Sequence, residues 1–182
     1  MFICIIYYNM ENKKKVLIVI ANNGFQDYEF WVPFDMLTHA WISVSIAAWK
    51  IWECIWVFGS RTVADIELEK VKWENYDMII FIWWWGAYAQ YFWNKEYLRI
   101  AKEAKKLWAI CITPMILSAS WIFNGKTVTS RDQNWVQKKF IQNNWGFWVD
   151  KNVVVSGNII TANGPDSAKE FAEKCLELIR KD

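Results

Sequence analysis

Residues 16–21, VLIVIA, form an unbroken apolar run rich in β-branched side chains, the pattern of a strand buried on both faces. After the polar loop NNGFQ, residues 27–40 read as a helix, with Pro33 expected in an early turn or at a kink. ISVSIAA (42–48) is a second strand, and residues 51–66 have β character punctuated by Gly59, as in a hairpin. YDMIIFI (76–82) is a third buried strand. In NKEYLRIAKEAKKL (94–107), Leu98, Ala101, Ala104 and Leu107 recur on one face while lysines and glutamates take the other, which predicts an amphipathic helix. AIC (109–111) is a short fourth strand, and PMILSAS (114–120) is a helix opened by proline. KTVTS is a strand and 132–143 a helix. FWVD, VVVS and NIITA are short strands, the last two joined at Gly157. GPDSAKEFAEKCLELIRK closes the chain as a helix with proline at its start and basic residues at its end, where the dipole favours them.

Strands alternating with helices imply a mostly parallel sheet covered on both faces. No repeat or linker interrupts the pattern, so residues 14–182 read as a single domain. Residues 1–13 read as an N-terminal extension, with Met10 as an alternative start. The apolar start is short, lacks a basic leader and a small-residue cleavage site, and no apolar run is long enough to span a bilayer. The expectation is therefore a cytoplasmic protein away from membranes. A net charge of +2 is too small to argue for nucleic acid. The cysteines at 4, 54, 111 and 175 form no CxxC pair, and His39 is the one histidine, so no metal site and no cofactor are expected.

Fifteen tryptophans stand against seven glycines, although glycine averages about 7% of residues. Trp31 and Trp148 read as ordinary aromatics. The other thirteen (41, 49, 52, 56, 73, 83, 84, 85, 93, 108, 121, 135 and 145) fall where glycine has a physical task. Trp41, Trp108 and Trp121 follow predicted helices, Trp135 and Trp145 follow asparagine as in turns, and Trp83–Trp85 stand where a strand ends. An aromatic stacking surface is one reading of this set. The better one is a sequence altered so that tryptophan stands where glycine belongs.

Cys111 ends an apolar strand just before a helix, where ligands gather in open α/β sheets. Helix N–H groups and the dipole there are expected to lower a thiol's pKa, and a nearby backbone N–H can stabilise an oxyanion. The competing reading is a small buried core residue. Cys175 shares a helix face with Phe171 and reads as core. Cys4 and Cys54 lack supporting partners, NGPDSA reads as a capped structural helix start, and His39 as a surface or helix-end residue. Asp27, beside Gln26, is a candidate for the mouth of the site.

The blocks KVLIVIA…YEFWVPFDML, YDMIIFIWWWGA, AICITPMILSASWIFNGKTVTS and GNIITANGPDSAKEFAEKCLELI, in this order, resemble the DJ-1/PfpI (ThiJ/PfpI) superfamily from about residue 14 to the end. The resemblance implies a flavodoxin-like three-layer sandwich with Cys111 on a strained nucleophile elbow. It implies that Glu29, counted back from Pro33, contacts the sulfur, protonated and donating because two adjacent negative charges disfavour each other. Backbone N–H groups of Trp84, Trp85 and Ile112 would hold an oxyanion. The family keeps small residues, typically glycine, at the turn where this chain has Trp83–Trp85.

The protease-like branch has histidine directly after the cysteine, where this chain has Ile112. The nearest match to the histidine some DJ-1 members supply from the VTSRD segment is Arg131. No Cys–His dyad is visible, so the intracellular peptidase reading weakens. The resemblance leaves a cysteine-dependent hydrolase, or a glyoxalase- or deglycase-like enzyme acting on small carbonyl compounds or adducts. The alternative is a non-catalytic redox-sensing or stress-protective protein. A homodimer is implied in either case.

Overall fold

The computed structural model describes residues 13–82 and 94–181. The predicted extension, apart from Lys13, and the tryptophans at 83, 84, 85 and 93 lie outside the described residues. The strands are β1 (Lys15–Val19), β2 (Asn23–Phe25), β3 (Ser43–Ala48), β4 (Glu53–Trp56), β5 (Arg61–Val63), β6 (Ile66–Glu67), β7 (Met78–Phe81), β8 (Leu107–Ile110), β9 (Thr127–Val128), β10 (Phe147–Trp148), β11 (Val153–Ser156) and β12 (Ile159–Ala162). The helices are α1 (Asp27–His39), α2 (Lys95–Glu103), α3 (Thr113–Ser118), α4 (Val136–Asn143) and α5 (Ala168–Arg180).

A seven-stranded sheet in the order β11-β12-β8-β7-β1-β3-β6 forms the centre. Every pairing in it is parallel except β11 with β12. Strands β1, β7 and β8 are the innermost, which is why they are nearly all apolar. Helices cover both faces. One layer pairs α1 with α5, and the other is built from α2, α3 and α4. The α/β sandwich expected from the alternating pattern is the observed architecture. Two small sheets flank it: β2-β4-β5, whose β4–β5 hairpin turns at Gly59 with φ 87°, and β9-β10.

Three local expectations need correction. The helix predicted over 94–107 ends at Glu103, and Leu107 starts β8 instead. Its amphipathic period runs by coincidence into an apolar segment, and that segment gains more by pairing with β7 and β12 in the sheet. Pro33 does fall in an early turn, the second of α1, but it does not interrupt the helix, which continues to His39. Trp108 and Trp56 sit inside strands with buried rings, not in turns, and Trp108 meets Phe171 of α5 edge-on at 6.4 Å.

Other tryptophans do occupy left-handed backbone, at φ 62° (Trp41), 63° (Trp121), 66° (Trp135) and 66° (Trp145). Trp41 and Trp145 each follow a helix in a Schellman arrangement. The Trp41 N–H donates to the Thr38 carbonyl and Ile42 N–H to Leu37, and Trp145 N–H donates to Gln142 and Gly146 N–H to Ile141. This conformation costs a side-chain-bearing L-residue about 1–2 kcal/mol, and glycine almost nothing. Both indoles are largely in solvent, 78% and 70% exposed, so little packing offsets that cost.

Trp41→Gly and Trp145→Gly are therefore each expected to raise stability in urea by about 1 kcal/mol. Trp31→Gly, within right-handed helix, should lower it by at least about 1 kcal/mol. A loss of stability in the first two would show that the turns do not call for glycine.

Candidate active site

The site is built around a single constrained residue. β8 ends at Ile110, α3 begins at Thr113, and between them Cys111 takes φ 67°. A left-handed non-glycine residue holds only if its surroundings fix it. Here they do so on both sides: Cys111 N–H donates to the Ala162 carbonyl at the end of β12 (2.9 Å), and the Cys111 carbonyl accepts from the Arg131 N–H (2.8 Å). The proline at the second position of α3 has its ring pre-set for the helix and no N–H to satisfy. The turn leaves the thiol wholly buried, with the Ile112 N–H directed at its sulfur.

Glu29 comes from the first turn of α1. Gln26 caps that helix, its side-chain oxygen accepting from the Glu29 N–H at 2.7 Å. An acid three residues after the cap commonly folds back to close a capping box. Glu29 does not: its side chain is fully buried, and neither carboxyl oxygen has a partner of regular hydrogen-bond geometry among the described residues. It faces Cys111 in a looser contact that acts on the ionisation of both groups. Asp27, two residues earlier in the same turn, is tied to the β4–β5 hairpin, its Oδ2 accepting from Phe58 N–H at 3.1 Å.

Burial pushes the Glu29 carboxyl up from 4.5 to about 8, against the opposing pulls of Cys111 and the Arg131 charge. Burial likewise pushes the Cys111 thiol well above its ordinary value, with the Glu29 charge and contact adding to it. Arg131 and the Ile112 N–H act downward and do not prevail. The sequence-based expectation of a thiol lowered by its helix is thus reversed, because desolvation of a sealed thiolate outweighs one short helix turn. When the carboxyl is protonated its charge no longer opposes the thiolate, and it becomes a donor toward the sulfur.

In the sequence Arg131 stands out only as the occupant of a histidine position. In the fold its backbone braces the elbow and its charge reaches both members of the pair. Its guanidinium lies over Gly164, where an added Cβ would meet Nη1 at 4.0 Å. Beside it opens a polar cavity of about 630 Å³ walled in part by Ser130, Trp148, Asn163 and Asp166. The signal for this residue was its place in VTSRD. Charge at that position was the informative property, not the missing imidazole.

His39 is at the exposed C-terminal end of α1, its ring against Asp35 and away from Cys111. Cys175 is buried in α5 as core, and Cys54 is a buried thiol of the β2–β4 region that burial raises to about 11. Cys54, Cys111 and Cys175 are free. Of the expected oxyanion groups, Ile112 is at the sulfur, while Trp84 and Trp85 lie outside the described residues. Among the described residues no helix is long and apolar enough to cross a membrane.

The chain matches the model of the DJ-1/PfpI family over residues 14–178. Protein dj-1beta of Drosophila melanogaster is 32% identical over 171 residues, covering 90% of this chain and 88% of the fly protein. Glutathione-independent glyoxalase DJR-1.2 of Caenorhabditis elegans is 30% identical over 173 residues, covering 93% of this chain and 91% of the worm protein. A ThiJ/PfpI domain protein from Brachyspira murdochii shares the fold with a TM-score of 0.86 at 22% identity, covering 94% of this chain and 99% of that one.

The raised Glu29 pKa fixes the sign of a pH effect. The folded state holds a proton that the unfolded state releases between about pH 4.5 and 8, so stability falls as pH rises through that window. Glu29→Gln is neutral throughout. Its stability relative to the unsubstituted protein should therefore climb by roughly 3 kcal/mol or more from pH 5 to pH 8 in urea unfolding. A difference that stays flat with pH would mean Glu29 is not held protonated.

Proposed function

The chain belongs to the DJ-1/PfpI family, and from that premise we propose that it is a cysteine-dependent enzyme acting on small reactive carbonyl compounds, in the manner of a glyoxalase. The observation that carries this reading is the pairing of an elbow cysteine with a buried carboxyl that keeps its proton up to about pH 8. The worm relative described as a glyoxalase supports the same class of substrate.

With an α-oxoaldehyde, the Cys111 thiol gives up its proton to water, its sulfur adds to the aldehyde carbon, and the carbonyl electron pair moves to oxygen. That oxygen takes the Glu29 proton. The Glu29 carboxylate then removes the hydrogen on the same carbon, giving an enediolate. After a proton shift between its oxygens, the enediolate is protonated by Glu29 on the neighbouring carbon, leaving a 2-hydroxyacyl thioester. Water, deprotonated by Glu29, displaces the sulfur and releases the 2-hydroxy acid, and the sulfur regains a proton from solvent. One carboxyl handles the proton transfers at both carbons, so this chemistry asks less of a histidine than peptide cleavage does.

A second reading is a redox-sensing protein, favoured by the position of the one histidine on the exposed end of α1. Oxidation of Cys111 to a sulfinic acid would give Glu29 an anion to donate to. In both readings free thiols suit a cytoplasmic protein. A homodimer is supported by exposed Tyr28, Trp31 and Phe58 around one surface cavity.

Purified protein should convert methylglyoxal to lactate. Cys111→Ala should abolish that turnover, and Glu29→Gln should lower it by at least about a hundredfold. Unchanged turnover in Cys111→Ala would sink the enzymatic reading. For the redox reading, mild peroxide followed by peptide mass analysis should find oxygen on Cys111 before Cys54 or Cys175, and the reverse order would end it.

A further inference from the structure

Thr113 departs from every other buried serine and threonine in the described chain. Ser118, Ser120, Thr129, Ser130, Thr161 and Ser167 each have a hydrogen-bond partner through their side-chain oxygen. Thr113 is equally buried, at 0% exposure, and its Oγ1 has none among the described residues. An unmade hydrogen bond of this kind costs about 1–3 kcal/mol, so a hydroxyl kept under such terms calls for a use.

Its place indicates which. Thr113 is the first residue of α3, two positions beyond Cys111. A hydroxyl deeper in a helix can donate to the carbonyl of the preceding turn, as Ser118 does to Met115. At the first position no preceding helical turn exists, and the equivalent carbonyl, that of Ile110, belongs to strand β8. Side chains on a helix lean toward its N-terminus, which here is the elbow. Unpartnered buried oxygens thus lie on two elements beside Cys111: those of Glu29 on α1 and that of Thr113 on α3.

We propose that the Thr113 hydroxyl is a catalytic hydrogen-bond donor to the oxygen that develops on the carbon bound to Cys111, alongside the Ile112 N–H. This rests on the carbonyl chemistry proposed above. As the thiolate adds, the carbonyl pair localises on oxygen, Thr113 donates to that oxygen, and Glu29 supplies its proton. The hydroxyl is unpaired in the resting site and paired only once that oxygen carries charge, which is the arrangement that lowers a barrier rather than tightening substrate binding.

The test compares Thr113→Val, which keeps the shape and removes the hydroxyl, with Thr113→Ser, which keeps the hydroxyl. Methylglyoxal turnover is measured for both, and for Cys111→Ala, together with urea midpoints. Thr113→Val is expected to lose on the order of ten- to a hundredfold in kcat with KM little changed. Its urea midpoint should equal or exceed that of the unsubstituted protein, since no existing bond is broken. Thr113→Ser should retain most of the rate. Normal turnover in Thr113→Val while Cys111→Ala is dead overturns this inference and leaves the carbonyl reading standing. A lower midpoint in Thr113→Val with no rescue by serine makes the hydroxyl structural and overturns it too. Full turnover in Cys111→Ala overturns both.

Discussion

The left-handed backbone at Cys111 is the constraint on which the rest of the site depends. A β-strand and an α-helix cannot meet in so short a span unless one residue absorbs the change of direction, and Cys111 does so at φ 67°. Its surroundings hold it there. Arg131 and Ala162, from distant parts of the chain, each bond its backbone, so sheet order and elbow geometry are one structure. β12 must lie beside β8 for Ala162 to be in reach, and the segment after β9 must return across the sheet edge for Arg131 to be. Backbone strain of this sort persists only when the fold over-determines it.

Burial then sets the chemistry that the elbow makes available. In open solvent a carboxylate at the start of a helix would be stabilised by the dipole. Inside the protein Glu29 loses its hydration, and that loss outweighs both the Cys111 contact and the Arg131 charge. The same desolvation acts on Cys111, so neither group gains charge easily. A pair in which either ionisation opposes the other is suited to passing one proton back and forth. It is poorly suited to holding a permanent thiolate.

The large elements were legible because their signals are local or periodic. VLIVIA and YDMIIFI are apolar throughout because both faces are covered, and the closing helix carries its proline and basic residues where helix ends want them. The site was legible through ordered blocks: Cys111 from the strand–turn–proline sequence and Glu29 by its distance from Pro33. What escaped was non-local. The end of α2 at Glu103 depends on sheet partners of Leu107 that are 28 and 52 residues away in sequence. The direction of the Cys111 shift depends on burial, which no motif encodes. Thr113 lies just outside the helix predicted over 114–120, and a missing hydrogen bond leaves no trace in sequence.

The left-handed positions separate two uses of the same backbone. At Trp41 and Trp145 the conformation merely ends a helix, and the residue beside it contributes little packing. Glycine would perform that task at lower cost. At Cys111 the conformation cannot be relieved by glycine without losing the sulfur. The cost of the elbow is tied to the thiol it presents, and that of the helix ends to no side chain in particular. Total stability in proteins of this kind is small, about 5–15 kcal/mol. Strain spread over several exposed tryptophans therefore draws on the same margin that keeps Cys111 in place, and the elbow is the part of the fold with most to lose as that margin narrows.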